Sequence, residues 1–133
     1  MIQIFADGCS LGNPGPAGIG VVIYRNKSLI AEKSAFIGQT TNNVAEYAAL
    51  VYALQEVAGF AKNEEVFVCL DSQLIVNQLS GKYKIKNKNI YPFSVLAKHL
   101  INLIGDCKFS HVVREKNKRA DYLAKKGAAN LSW

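Results

Sequence analysis

The run Val66-Phe67-Val68-Cys69-Leu70 offers no polar position to turn toward water. Side chains of a strand alternate between two faces, so a strand this apolar needs cover on both. The chain is therefore expected to place it inside a sheet with helices on both sides. The flanking pattern builds that sheet. Residues 1–6 (Met1-Ile2-Gln3-Ile4-Phe5-Ala6) read as a strand. The stretch from Gly8 to Gly20 is dense in Gly and Pro and reads as a turn, followed by a second strand over 19–24. Asn26-Lys27 makes a hairpin turn into a third strand at about 28–37, which gives an antiparallel meander.

Helices fill the rest of the pattern. Val44, Tyr47, Ala48, Val51, Leu54 and Val57 recur at spacings of three and four behind the polar run Thr40-Thr41-Asn42-Asn43. That predicts an amphipathic helix ending near Gly59. A short helix follows at 72–79, another at 91–104, a strand at 108–113, and a last helix capped by Asn117 and running to about 129. The order β-β-β-α-β-α-α-β-α joins the meander to parallel strands through right-handed crossovers. The expected fold class is α/β, a mixed five-stranded sheet flanked by helices in one domain over 1–133. If the strand at 65–70 pairs beside the first, Asp7 and Asp71 become neighbours in space.

Charge and cysteines narrow the function classes. The 133 residues carry a net charge of +6 and are half hydrophobic, which gives enough apolar material for a core. A basic balance favours polyanion partners. Cys9, Cys69 and Cys107 are odd in number and show no Cys-x-x-Cys spacing, so neither a disulfide framework nor a zinc site is expected. Cys69 reads as a small core residue. His99 and His111 have no partner spacing that suggests a transition metal. No stretch is long and apolar enough to span a membrane. The first residues are strand-like with no basic region ahead of them, so the compartment reads as cytoplasmic. No surface marks a dimer, which leaves a monomer.

Against this basic background four acids stand in unusual settings. Asp7 ends an apolar run, Asp71 ends the run at 66–70, Glu46 sits on the apolar stripe of a predicted helix, and Asp121 lies between Ala120 and Leu123-Ala124. A buried carboxylate without a partner is costly. Asp7 and Asp71 at neighbouring strand ends would make half of a metal site, which Glu46 and Asp121 could complete. Oxygen ligands suit hard cations, Mg²⁺ or Mn²⁺. Two such ions about 4 Å apart can clamp both oxygens of an in-line displacement at phosphorus. Taken singly, each acid can also be read as a helix cap or half of an ion pair.

Four longer segments carry a resemblance. Asp7-Gly8-Cys9-Ser10-Leu11-Gly12-Asn13-Pro14-Gly15-Pro16-Ala17-Gly18 resembles the opening motif of type 1 ribonuclease H. Thr40-Thr41-Asn42-Asn43-Val44-Ala45-Glu46-Tyr47-Ala48-Ala49-Leu50 resembles its second motif, and Asp71-Ser72-Gln73 its third. Arg114-Glu115-Lys116-Asn117-Lys118-Arg119-Ala120-Asp121-Tyr122-Leu123-Ala124 resembles the fourth. The motifs appear in the family's order and cover almost the whole chain. The resemblance implies the ribonuclease H fold and cleavage of the RNA strand of RNA–DNA hybrids, leaving 5′-phosphate and 3′-hydroxyl ends. It implies that Asp7 bridges two Mg²⁺ ions, which Mn²⁺ can replace. Asp121 would help hold the ion that activates water, and Glu46 and Asp71 the ion at the leaving 3′-oxygen.

The same resemblance gives a substrate surface. The 2′-hydroxyl both donates and accepts, as do neutral amides, and it distinguishes RNA from DNA. By resemblance Asn13, Asn42, Asn43 and Gln73 line the minor groove, and Thr41 helps hold a DNA phosphate. Helix capping is the plainer role for Asn42 and Asn43. Lys82, Lys84, Lys86 and Lys88 alternate along a short loop where many relatives carry a longer basic protrusion. Extended, they would face one way and could track phosphates; as a solvated loop they would not. With only this short loop, substrate grip would lean on Lys116, Lys118 and Arg119. Many relatives also place a histidine in the loop before the last aspartate, but Arg114 to Arg119 contains none. His111 lies earlier, in a predicted strand, and reads as structural. Glu115 or Lys116 could stand in for the missing group. Two rival readings remain: a non-catalytic nucleic-acid-binding module, and a DNA strand-transfer or junction nuclease on a similar sheet.

Overall fold

The computed structural model describes residues 1–82 and 84–130. Tyr83, inside the lysine-rich loop, and the last three positions of the expected 1–133 domain lie outside the described residues. The elements are β1 (Ile2–Ser10), β2 (Gly15–Arg25), β3 (Ser28–Thr40), α1 (Asn42–Ala58), β4 (Val66–Leu70), α2 (Gln73–Leu79), α3 (Tyr91–Ile104), β5 (Cys107–His111) and α4 (Lys118–Ala129). A 3-10 turn at Arg114–Lys116 precedes α4. The five strands lie in the order β3-β2-β1-β4-β5, with the first three antiparallel and β1-β4-β5 parallel. This is the mixed α/β sheet expected from the sequence, with β4 beside β1.

Alternation along the strands separates two cores. Ile2, Ile4 and Ala6 of β1, Ile19, Val21 and Ile23 of β2, and Val66, Val68 and Leu70 of β4 pack with α1 and α3. Val22 faces the other way and packs with Ala120 and Leu123 of α4, flanked by Phe5 and Tyr24. In β4 every residue is buried except Phe67, which is half-buried beneath the Lys108 ammonium.

The structure departs from expectation at the turn after Asp7 and in the capping by Asn117, for physical reasons. The turn after Asp7 is much shorter than the Gly8–Gly20 span, because Gly15 to Gly20 belong to β2. Gly18 and Gly20 leave one face of β2 bare so that α4 can lie against it. A Cβ on Gly20 would sit 2.0 Å from the Ala120 carbonyl oxygen, and one on Gly18 would sit 2.2 Å from the Ala128 nitrogen. Density of glycine here marks backbone contact between helix and sheet rather than chain reversal. Asp7 accordingly lies within β1 rather than at its end. Asn117 stands at the N-cap position of α4, but its side chain makes no cap bond and points elsewhere. Thr41 caps α1, its hydroxyl accepting from the Val44 nitrogen at 3.3 Å.

Candidate active site

The pairing of β1 with β4 stops at Phe5–Cys69. Asp7 lies two residues past that point and Asp71 directly follows Leu70, so both emerge at the carboxyl end of the parallel strands, where ligands collect in open α/β sheets. Glu46 is brought down by α1. Gly8 has no side chain to hold the helix away: a Cβ there would meet the Ala45 carbonyl carbon at 2.1 Å and the Glu46 nitrogen at 2.2 Å. Asp121 comes from the first turn of α4 and donates its backbone N–H to the Asn117 carbonyl at 3.0 Å. The four acids line one open cleft of about 240 Å³ with Cys9, Asn42, Arg114 and Lys125.

The electrostatics of this cleft are strained. Asp7 is only 8% exposed. Burial, then the charge of Asp71, then a hydrogen bond and charge from Asp121, then Glu46, push its carboxyl up to about 8. Glu46 is raised to about 7, chiefly by burial and further by Asp71, while a Ser72 hydrogen bond and the Arg114 charge pull the other way. Its Oε2 is buried with no hydrogen-bond partner. Partial relief comes from three neighbours. Lys125 pairs with Asp121 at 2.9 Å one helical turn on. The Gly8 N–H donates to Asp7 Oδ1 at 2.9 Å. The Asn117 amide donates to Asp71 Oδ2 at 3.3 Å.

Among the described residues, no three acid, histidine or cysteine side chains stand close enough together to form a ready-made cage for a cation. The donor set is nevertheless suited to one. It is made of carboxylate oxygens, one of them is an unsatisfied buried atom, and burial first and neighbouring carboxylates second raise Asp7 and Glu46, a penalty that a hard divalent cation would offset.

The polar residues expected to meet substrate divide into groups. Asn42 and Asn13 sit together at the rim. Asn42 Oδ1 accepts from the Ser10 N–H at 2.7 Å, and the Asn42 N–H donates to Asn13 Oδ1 at 3.1 Å. Because Thr41 performs the capping, neither Asn42 nor Asn43 is used for it. Asn43 is exposed in the first turn of α1. Gln73 opens α2, exposed, its amide donating to Asn77 Oδ1 at 3.1 Å. Lys116 does not join the carboxylates; it borders a separate small cavity with Phe5, Val22, Tyr24 and Arg119. Arg119 is occupied by Glu32 through two bonds of 2.7 and 2.9 Å. His111 is exposed at the end of β5, so it is not a core residue. Arg114, Lys125 and Asn117 were not singled out for the cleft by the sequence. The Asp121–Lys125 spacing of four was a readable signal. Arg114 enters the cleft from the 3-10 turn ahead of α4, a placement that no periodicity announces.

Fold and cleft together define an α/β domain whose acids gather at the carboxyl edge of a mixed sheet. A sequence profile described as reverse transcriptase-like matches residues 5–127. Ribonuclease HI of Halobacterium salinarum is 38% identical over 92% of this chain and 62% of its own length. Ribonuclease H of Neisseria meningitidis serogroup C is 30% identical over 98% of this chain and 97% of its own. Among solved structures, LC11-RNase H1 in complex with RNA/DNA hybrid superposes with a TM-score of 0.91 at 44% identity, covering 96% of each chain. The chain belongs to the type 1 ribonuclease H family. It spans about a third of the length (34%) of the mycobacterial relatives it matches, among them the bifunctional protein Rv2228c of Mycobacterium tuberculosis.

Proposed function

We propose that this chain is an endonuclease that hydrolyses the RNA strand of RNA–DNA hybrids, leaving 5′-phosphate and 3′-hydroxyl ends. The observation that carries the reading is the convergence of Asp7, Glu46, Asp71 and Asp121 on one cleft in a fold shared with a relative solved on RNA/DNA hybrid. These four carboxylates would hold two Mg²⁺ ions, with Mn²⁺ able to substitute, and the ions when bound supply an activated water and stabilise charge on the leaving oxygen. The chain's own part is to present charge. Buried Asp7 and half-buried Glu46, whose Oε2 is enclosed, have few water contacts to surrender and an electrostatic penalty to shed when a cation arrives. Arg114 and Lys125 stand at the same cleft, where a phosphodiester would otherwise meet only negative charge.

Recognition of RNA rests on the amides. Asn13 and Asn42 use their carbonyl oxygens within the protein, which leaves their NH₂ groups as the donors that would serve a 2′-hydroxyl. Gln73 and Asn43 extend the same polar edge, and Thr41 would meet a DNA phosphate. The test is cleavage of labelled RNA–DNA hybrid, RNA duplex and DNA duplex side by side in Mg²⁺ and in Mn²⁺, with Asp7→Asn as control. Hybrid-selective cutting that disappears in Asp7→Asn, with hybrid binding retained in Ca²⁺, is the expected result. Binding without hydrolysis in either metal would point to a non-catalytic module, and equal cutting of DNA duplex to a junction-type nuclease.

A further inference from the structure

Asn117 is the most buried polar residue near the cleft, at 1% exposed, and capping does not explain it, since its side chain makes no bond to the helix it begins. Its Nδ2 instead donates to the Ala6 carbonyl at 3.2 Å and to Asp71 Oδ2 at 3.3 Å. We infer that Asn117 is a positioning residue: its buried amide links the backbone just before Asp7 to the carboxylate of Asp71, while its own carbonyl receives the N–H of Asp121. Three of the four cleft acids therefore take their relative placement from one side chain and its peptide group. The inference rests on the proposed role of those acids.

The chemistry selects asparagine. Two acceptors on one side require two N–H bonds from a single atom, and a neutral NH₂ supplies both without a further charge beside Asp7 and Asp71. A serine has one donor, an aspartate has none, and an alanine leaves a hole. The nitrogen must face these acceptors, because the amide turned over would set Oδ1 against two oxygens. In the observed orientation Oδ1 is left buried without a hydrogen-bond partner. An arrangement built for capping alone would not leave that acceptor unpaired while sending one donor to the β1 backbone before Asp7 and the other to Asp71.

Partners that orient a ligating carboxylate commonly change metal affinity or activity by about 10–100-fold when removed. The test uses the full chain with Asn117→Ala, Asn117→Ser and a control, Tyr47→Phe, which breaks a buried hydroxyl bond to Gln78 outside the carboxylate cleft. Ca²⁺ is titrated against thermal unfolding, and kcat and KM are measured on hybrid in Mg²⁺. Asn117→Ala is expected to raise the Ca²⁺ midpoint about tenfold or more and lower kcat about 10–100-fold, with KM within about twofold. Asn117→Ser falls between it and the wild type, and Tyr47→Phe lowers the unfolding temperature without moving the Ca²⁺ midpoint. A Ca²⁺ midpoint within twofold of wild type in Asn117→Ala would overturn the inference; if that variant does not fold, the same criterion applies to Asn117→Ser. Wild-type protein that responds to Ca²⁺ but leaves hybrid intact would sink the proposed activity alone, and the midpoints would still decide the role of Asn117. No response to Ca²⁺ at all would overturn both.

Discussion

Replacing Asp7 by asparagine is expected to make the metal-free protein more stable at neutral and alkaline pH. Asp7 is nearly buried among three other acids, and its carboxyl is raised from 3.8 to about 8 by burial first and by Asp71, Asp121 and Glu46 after it. The folded state thus holds the proton more tightly than the unfolded chain does. The sign follows: the contribution of Asp7 is fully favourable below about pH 4 and is lost as pH rises through about 8. At about 1.36 kcal/mol for each pH unit, the rise sets a ceiling of about 6 kcal/mol at pH 8. Glu46, raised to about 7 by burial first and by Asp71 after it, shares the Asp71 charge with Asp7, so the two penalties are not additive. Protein interiors also screen charge more than a dry medium would. A gain of about 2–3 kcal/mol for Asp7→Asn is the working value, which for a domain of this size is roughly 8 °C in Tm. Asparagine keeps the shape and can still accept from the Gly8 N–H. The assay is thermal unfolding in a chelator from pH 4 to 9. The variant should melt well above wild type at pH 8, and the two curves should converge near pH 4. Exposed ion pairs such as Arg119–Glu32 are the same in both proteins and cancel in the difference. Added Mg²⁺ should narrow the gap by stabilising wild type more. No advantage for the variant at pH 8, or a gap that persists at pH 4, would refute the electrostatic account.

Two further outcomes follow from the structure. Neutralising Lys82, Lys84, Lys86 and Lys88 together to glutamine should raise KM for hybrid while leaving kcat near wild type. The slope of log affinity against log salt should become shallower by roughly 0.7–0.9 for each phosphate that the loop no longer neutralises; an unchanged slope would assign the loop to solvent. Gly20→Ala should destabilise the fold by about 1–3 kcal/mol or more, seen as a lower urea midpoint, because the new Cβ would fall 2.0 Å from the Ala120 carbonyl oxygen and 2.5 Å from the Ala124 nitrogen.

The parts of this molecule that the sequence made legible are those set by periodicity. The unbroken apolar run of β4 announced cover on both faces, and spacings of three and four announced α1. Parallel strands followed from the β-α-β order, but that β4 pairs directly with β1, and so brings Asp7 near Asp71, is settled by the structure. Other features share one sequence signature between two physical causes. Gly18 and Gly20 look like turn residues, yet they alternate with Ala17, Ile19 and Val21, which is a strand with one face left bare. Asn117 occupies a capping position, but the pull of two acceptors outside the helix decides where its amide goes. Lys125 and Arg114 were hidden among many cations, since charge alone does not tell a solvated lysine from one folded against a carboxylate. The amide roles of Asn13, Asn42, Asn43 and Gln73 came from family resemblance; elementary chemistry alone would have given Asn42 and Asn43 to the helix cap that Thr41 makes.

What turns this sheet into a site is the absence of side chains at a few points of close approach. Asp7 lies opposite Gly20 in the β1–β2 ladder, and Gly20 touches the backbone of α4 next to Asp121. On the other face, Gly8, adjacent to Asp7, touches the backbone of α1 at Ala45 and Glu46. Main-chain contacts therefore fix how closely α4 and α1 approach Asp7, and the Asn117 amide ties Asp71 into the same frame. Side-chain packing tolerates changes of rotamer, whereas backbone against backbone has no such freedom, so carboxylates can be held close despite their repulsion. By this argument Gly20→Ala should lose more activity than its loss of stability explains, because lifting α4 moves Asp121 while Asp7, Glu46 and Asp71 stay behind. A kcat that is unchanged in the fraction still folded would show instead that the cleft tolerates movement of its fourth acid.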